Sequence, residues 1–315
     1  MTQEQSPRRI GFIGLDTSHV EAFARLLMDE TNEHHVSGGK VVIAMPGGSP
    51  DFELSHSRVP GFTEKLRDQF GVQMVDTPEA VAEACDLLFI ESVDGRVHRE
   101  QFERTIKFGK PTFIDKPFAT TSADAQVMVD LAAEHGVPLM SCSSLRYADN
   151  FQAALADGAA GEIVGIDTAG PMAIQPTQPS YFWYGIHCFE MIVAAMGVGC
   201  RRVTANVIGD HDMVTAEWDD GRVATYRGLS KAHSKFTVAL HRERDVALIN
   251  ASDPGRPYYA SLLEAILHHL PHGRSAIPSA EMLEVVRVIE AANASRETEQ
   301  VVELDGESLS SGARQ

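Results

Sequence analysis

Between Ile10 and Ser141, short apolar runs alternate with helix-length amphipathic segments, and this alternation constrains the fold of the chain more than any other feature. Strands separated by a helix-length segment pair in parallel, because each crossover carries the chain back to the starting edge of the sheet. The strands predicted are Ile10–Leu15, Val41–Met45, Leu87–Ser92, Pro111–Ile114 and Pro138–Ser141. Helix starts are signalled by Ser18 with Glu21 as a capping box and by Thr77-Pro78 as N-cap and first helical residue. A third helix opens at Ser122 and stops at Gly136. Pro46–Pro60, rich in Gly, Ser and Pro, reads as a long loop after the second strand.

From about Tyr147 the rhythm changes. A helix is followed by strands in succession at Ile163–Thr168, Arg201–Val207, Met213–Glu217, Val223–Tyr226, Phe236–Leu240 and Val246–Ile249, then by helices near Tyr258–Leu270 and Ser279–Ser295. Strands that follow one another without helices pair antiparallel. The expected fold is α/β: an N-terminal Rossmann doubly wound parallel sheet over 1–143, and over 144–315 an α+β domain on a mixed, mainly antiparallel open sheet. A length of 315 residues accommodates two such cores.

A formal charge of −17 removes the electrostatic attraction on which nucleic-acid and membrane-surface binding rest, so a small-molecule partner is expected, with neither nucleic acid nor membrane. No run of about 18 uninterrupted apolar residues marks a membrane span. Ser6-Pro7-Arg8-Arg9 superficially resembles a twin-arginine export signal, but Asp16, Ser18, His19 and Glu21 cut short the apolar run after it. The four cysteines (Cys85, Cys142, Cys188 and Cys200) form no CxxC pair, so reduced thiols in a cytoplasmic protein are expected.

A dinucleotide-binding turn needs glycine where the chain bends, where backbone approaches the pyrophosphate, and where helix packs on strand. In Gly14-Leu15-Asp16-Thr17-Ser18-His19 only the first is present; Asp16 and His19 stand at the other two places. Asp16 can instead satisfy nearby backbone N–H groups, and Thr17 or Ser18 then caps the helix. The acid expected after the second strand to hold a ribose 2′-hydroxyl is replaced by Pro46-Gly47-Gly48-Ser49, with Ser49 or Arg58 available to a 2′-phosphate.

Three further landmarks stand along the chain: Ser92-Val93-Asp94-Gly95-Arg96-Val97-His98-Arg99-Glu100, then Gly109-Lys110-Pro111-Thr112-Phe113-Ile114-Asp115-Lys116-Pro117, then Gly185-Ile186-His187-Cys188-Phe189-Glu190 followed by Gly197. Asp157-Gly158-Ala159-Ala160-Gly161-Glu162-Ile163 and the terminal Val288–Ala292 segment support them. Together they make the chain resemble the Gfo/Idh/MocA oxidoreductase family over nearly its whole length. The second landmark is similar to that family's G-K-x-x-x-x-E-K-P with Asp for Glu, the third to its G-x-H-x-x-D helix with Glu for Asp.

The resemblance implies an NAD(P)-dependent dehydrogenase or reductase of a sugar, cyclitol or sugar acid, using NAD or NADP and assembled as a homodimer or homotetramer. It implies Lys116 and His187 as catalytic residues, with the imidazole taking the hydroxyl proton. Cofactor contacts fall on Gly14, Leu15, Asp16, Thr17, Ser18, Ser92, Val93, His98, Asp115 and Lys116, and substrate contacts on Arg146, Tyr147, Trp183, Tyr184, His187 and Glu190. Trp183 stands where the family often carries an Asp, so its alcohol-oxidation set is incomplete here.

Two other readings compete. Asp16, His19, Asp94, His98, Glu190 and His187 form a histidine and carboxylate collection that can hold a divalent metal for lyase, isomerase or hydrolase chemistry. Their scattered spacing contains no HxxxH or HxH pair, and no metal ligand is assigned. The degraded turn also suits a ligand-binding protein that has lost its cofactor, although such a protein has no need for a paired acid and base.

Overall fold

The structure is a computed structural model and describes residues 6–231 and 235–304. It divides into two compact units, one made of residues 6–119, 123–142 and 256–279, the other of 120–122, 143–231, 235–255 and 280–304.

The first unit holds six parallel strands: β1 (Arg8–Ile13), β2 (Gly39–Met45), β3 (Gln73–Met74), β4 (Leu87–Ile90), β5 (Thr112–Asp115) and β6 (Leu139–Cys142). Their order is β3-β2-β1-β4-β5-β6, the doubly wound arrangement in which strand order reverses beside β1. β4, β5 and β6 are buried along their whole length, as strands covered on both faces must be. The helices are α1 (His19–Met28), α2 (Glu53–His56), α3 (Val59–Phe70), α4 (Pro78–Ala84), α5 (His98–Thr105) and α6 (Ser122–Glu134). Phe89 centres the core, with ring centroids 5.7 Å from Phe12, 6.1 Å from Phe23 and 5.3 Å from Phe113.

Three local expectations change. The segment predicted as one loop, Pro46–Pro60, contains α2 and the start of α3, with Phe52 and Ser55 buried. Apolar Phe52 gives that segment something to bury, which its Gly and Pro content concealed. Ser18 and Glu21 make no capping box: no Ser18 side-chain bond caps α1, the Thr17 hydroxyl accepts from the His19 N–H, and Glu21 pairs with Lys65 and Arg25. Thr77 does cap α4, its hydroxyl accepting from the Ala80 N–H at 3.2 Å. The two-residue β3 gave no periodic signal.

In the second unit, α7 (Asp149–Ala156) precedes β7 (Ile163–Pro171), α8 (Ile186–Met196), β8 (Cys200–Ile208), β9 (His211–Trp218), β10 (Val223–Leu229), β11 (Thr237–Arg242) and β12 (Val246–Asn250). The chain then returns to the first unit for α9 (Tyr258–His269), and finishes in the second with α10 (Ser279–Thr298) and β13 (Val302–Glu303). The sheet order is β12-β11-β7-β10-β9-β8-β13, antiparallel except for β7 against β10. The mixed, mainly antiparallel sheet is thus the one expected. β9 alternates buried and half-exposed residues, so one face of the sheet is covered, with α8 packed against β7 and β10, while the other is left more open.

All four cysteines are buried and none forms a disulfide. Among the described residues, no helix is long and apolar enough to cross a membrane.

Candidate active site

β1 ends at Ile13 and hands the chain to Gly14, whose φ of +91° lies in the left-handed region that favours glycine. A β-carbon there would stand 2.4 Å from Ser92 Oγ and 2.5 Å from its backbone nitrogen, so the turn passes directly over the loop after β4. Gly47, at φ +66°, brings the segment after β2 against the same turn: a β-carbon there would lie 3.3 Å from Gly14 Cα. The Leu15 N–H donates to the Pro46 carbonyl at 2.7 Å.

Asp16 is fully buried in this junction. Its carboxylate accepts from the Val93 N–H at 2.9 Å and from the Ser55 hydroxyl at 2.6 Å. Two of the groups it satisfies thus lie 77 and 39 residues away in sequence. Burial pushes the Asp16 carboxyl above the usual range, against those two bonds and the His98 charge.

The ends of β4 and β5 bring two more acids to this edge. Glu91 has no exposed surface, and neither of its carboxylate oxygens has a hydrogen-bond partner. Burial, reinforced by the negative charge of Asp115, raises its pKa well above the ordinary value. Asp115 lies 2.7 Å from His19 Nδ1 at the start of α1. Burial would raise Asp115, but the His19 and Lys116 charges prevail and hold it below the usual range. The Tyr259 ring from α9 stands 5.0 Å from the His19 ring, and burial raises that phenol too.

Lys116 follows Asp115 directly and is 8% exposed. His98, at the start of α5, is clamped between two carbonyls, Nδ1 at 2.8 Å from Pro117 O and Nε2 at 2.7 Å from Ser92 O. Ser92 Oγ accepts from the Gln101 amide at 2.8 Å. Asp94 is held by Arg96, which also reaches Asp51. Thr17 and Val93 are buried, Ser18 is exposed, Ser49 is buried with its N–H on Ser55 Oγ, and Arg58 is exposed.

The second unit gathers its own group. His187 Nδ1 lies 2.6 Å from Ser143 Oγ, which also accepts from the Leu145 N–H at 3.2 Å. The Phe236 and Tyr184 rings stand 5.1 and 6.0 Å from the imidazole. Glu190, one turn along α8, pairs with Arg146 at 3.0 Å, and Arg146 also binds Glu281 of α10. Burial raises the Glu190 carboxyl despite the opposing charge of Arg146. Trp183 is 8% exposed, Tyr184 is exposed and Tyr147 half-buried.

Of the collection considered for a metal, the first unit brings His19 together with Glu91 and Asp115, and places Asp16, Asp94 and His98 on other partners. Sequence reasoning missed Glu91, Ser55, Tyr259, Ser143 and Glu281. For Glu91 a signal existed, since it is a carboxylate at the end of the otherwise apolar run Leu87–Ile90.

A parallel sheet whose strand order reverses beside a glycine turn defines the dinucleotide-binding Rossmann class. Within that class, residues 9–142 match the family model described as the Gfo/Idh/MocA oxidoreductase family, NAD-binding Rossmann fold, with an altered glycine turn in this chain. No curated protein matches the chain by sequence.

Solved structures share the fold. Myo-inositol dehydrogenase from Lactobacillus casei, in complex with NAD(H) and myo-inositol, is 15% identical with a TM-score of 0.75, covering 98% of this chain and 99% of that one. Apo scyllo-inositol dehydrogenase from the same organism is 16% identical with a TM-score of 0.76, covering 95% and 98%. Myo-inositol 2-dehydrogenase from Lactobacillus plantarum is 16% identical with a TM-score of 0.75, covering 95% and 100%.

The fold is thus an NAD-binding one, and the left-handed, side-chain-free approach of Gly14 to Ser92 fits a dinucleotide at the edge where Lys116 stands. Asp16 departs from that fit, since it sets an acidic side chain where the ordinary turn has a second glycine.

Proposed function

We infer that the protein is an NAD(P)-dependent oxidoreductase acting on a hydroxyl or keto group of a sugar, cyclitol or sugar acid. The observation that carries this reading is Lys116 at the carboxyl end of β5, beside the Gly14–Ser92 approach, inside the region that matches an NAD-binding oxidoreductase fold. The inositol dehydrogenases of like fold support the substrate class. A nicotinamide dinucleotide, when bound, supplies the hydride acceptor or donor.

The remaining chemistry belongs to side chains of this chain. The Lys116 ammonium donates a hydrogen bond to the reacting oxygen and stabilises charge developing there. The His187 imidazole, held by the 2.6 Å contact of its Nδ1 with Ser143 Oγ, is the group assigned to accept the hydroxyl proton. Arg146, Tyr147, Trp183, Tyr184 and Glu190 are assigned to the substrate. Arg146 is already shared between two carboxylates, so it serves to orient Glu190. The aromatic side chains at 183 and 184 suit the apolar face of a sugar ring. A cytoplasmic homodimer or homotetramer completes the proposal.

The test is a titration of purified protein with NAD(H) and NADP(H), followed by turnover across a panel of polyols and sugar acids. Binding of one cofactor and turnover of at least one cyclitol or sugar are expected. Lys116→Ala and His187→Asn should each lower kcat on the order of a hundredfold or more. Absence of both cofactor binding and turnover overturns the reading.

A further inference from the structure

We propose that His19, Glu91 and Asp115 form a binding site for a divalent first-row metal ion at the carboxyl edge of the parallel sheet. One ligand atom from each residue lies within 4.8 Å of the other two. Ligands bonded to one ion at about 2.1 Å stand at most about 4.2 Å apart, so small carboxylate and imidazole rotations close the set. The three residues come from different elements, the start of α1 and the ends of β4 and β5, and the sheet pairing of those two strands fixes their relative height. This is the edge at which open α/β sheets bind ligands.

An independent observation points to an occupant. Glu91 is wholly buried, yet both its oxygens lack a hydrogen-bond partner. Buried carboxylates in folded proteins are paired, hydrogen-bonded or bound to metal, since leaving one bare carries a large desolvation penalty. Asp115 and His19 add to this: an imidazole nitrogen and a carboxylate oxygen stand 2.7 Å apart and converge with Glu91 on one point. Such a set of lone-pair donors around an unpartnered buried carboxylate is what a cation organises.

One imidazole and two carboxylates suit Mn²⁺, Fe²⁺ or Zn²⁺ better than Ca²⁺, which takes oxygen ligands alone. With three protein ligands the ion keeps an open position for an oxygen of a small molecule. The Tyr259 ring, packed on His19, walls the site from α9.

The test uses the full, untagged chain, stripped with a chelator, shown by circular dichroism to remain folded, and titrated with Mn²⁺ and with Zn²⁺ in the absence of any nicotinamide cofactor. Elemental analysis after dialysis should find about one ion per chain, and the ion should raise the Tm. Glu91→Gln and Asp115→Asn should weaken binding on the order of tenfold or more. Asp167→Asn, which alters an exposed acid paired with His241 on β7, should leave it unchanged. His19→Gln replaces Glu91→Gln if the latter fails to fold. The proposal is overturned if folded, stripped wild-type protein takes up neither ion, or if the site variants bind as tightly as wild type. Because no nicotinamide cofactor is present, either result leaves the oxidoreductase reading to its own titration.

Discussion

At the scale of single residues, Asp16 decides how this Rossmann unit meets an anion. Its carboxyl group already occupies the Val93 N–H and the Ser55 hydroxyl, and it puts a side chain where the ordinary turn has a glycine that lets backbone approach the pyrophosphate. Asp16→Gly should therefore tighten NAD(H) binding on the order of tenfold, about 1.4 kcal/mol, measured by fluorescence titration. Unchanged or weaker affinity would show that Asp16 does not oppose the cofactor.

The same residue carries a pH signature. Burial raises its folded-state pKa, so the folded protein retains a proton that the unfolded chain releases above about pH 3.9. Stability contributed by the neutral form is present below that pH and is lost as pH rises through the raised folded value. Asp16→Asn should flatten the fall in Tm over that interval, and an unaltered pH profile would refute the assignment.

Asp16 was legible in the sequence as the departure from a glycine turn, but its partners were not, because Val93 and Ser55 reach it only through the sheet and the segment after β2. The same holds for Glu91: its place after an apolar strand was visible, while its company of His19 and Asp115 was not.

At the scale of elements, the junction of β1 with α1 depends on Gly14. Alanine there must hold φ near +91° and push its β-carbon into Ser92 backbone atoms, which cannot retreat without moving the end of β4. Gly14→Ala should cost about 2–4 kcal/mol in denaturant unfolding and abolish dinucleotide binding. A loss below about 1 kcal/mol would mean that the turn yields more easily than this packing allows.

The elements most legible in the sequence were those with strong periodicity or explicit caps, such as β4, β5 and the Thr77-capped α4. Those that escaped were short or locally ambiguous. β3 has two residues, α2 has four, and α2 hides in a segment whose Gly and Pro content outweighs the one buried Phe52. Ser18 shows the opposite error, since a correct capping pattern lost to Thr17 and to Lys65, a cation contributed by α3.

At the scale of the whole molecule, the first unit is built from discontinuous chain. α9 arrives from residues 256–279 and packs against α1, burying Leu262, Leu263 and Ile266 in the first unit and setting Tyr259 against Phe23 at 5.6 Å. A fragment of residues 1–142 should therefore leave apolar surface on α1 uncovered. It should bind a hydrophobic dye and melt lower than a fragment in which residues 256–279 are joined to it by a flexible linker. Equal melting temperatures would remove α9 from the stability of this unit.

By itself, the sequence determined the class of each sheet, because strand length, helix crossovers and the run of successive strands are local patterns that a chain cannot disguise. It determined the family likeness through Asp115-Lys116-Pro117 and the His187 helix. Only the tertiary structure decided what fills the glycine turn, which acids share His19, and where α9 belongs. Those are contacts between residues tens to hundreds of positions apart, set by sheet order and packing, and no local pattern encodes them.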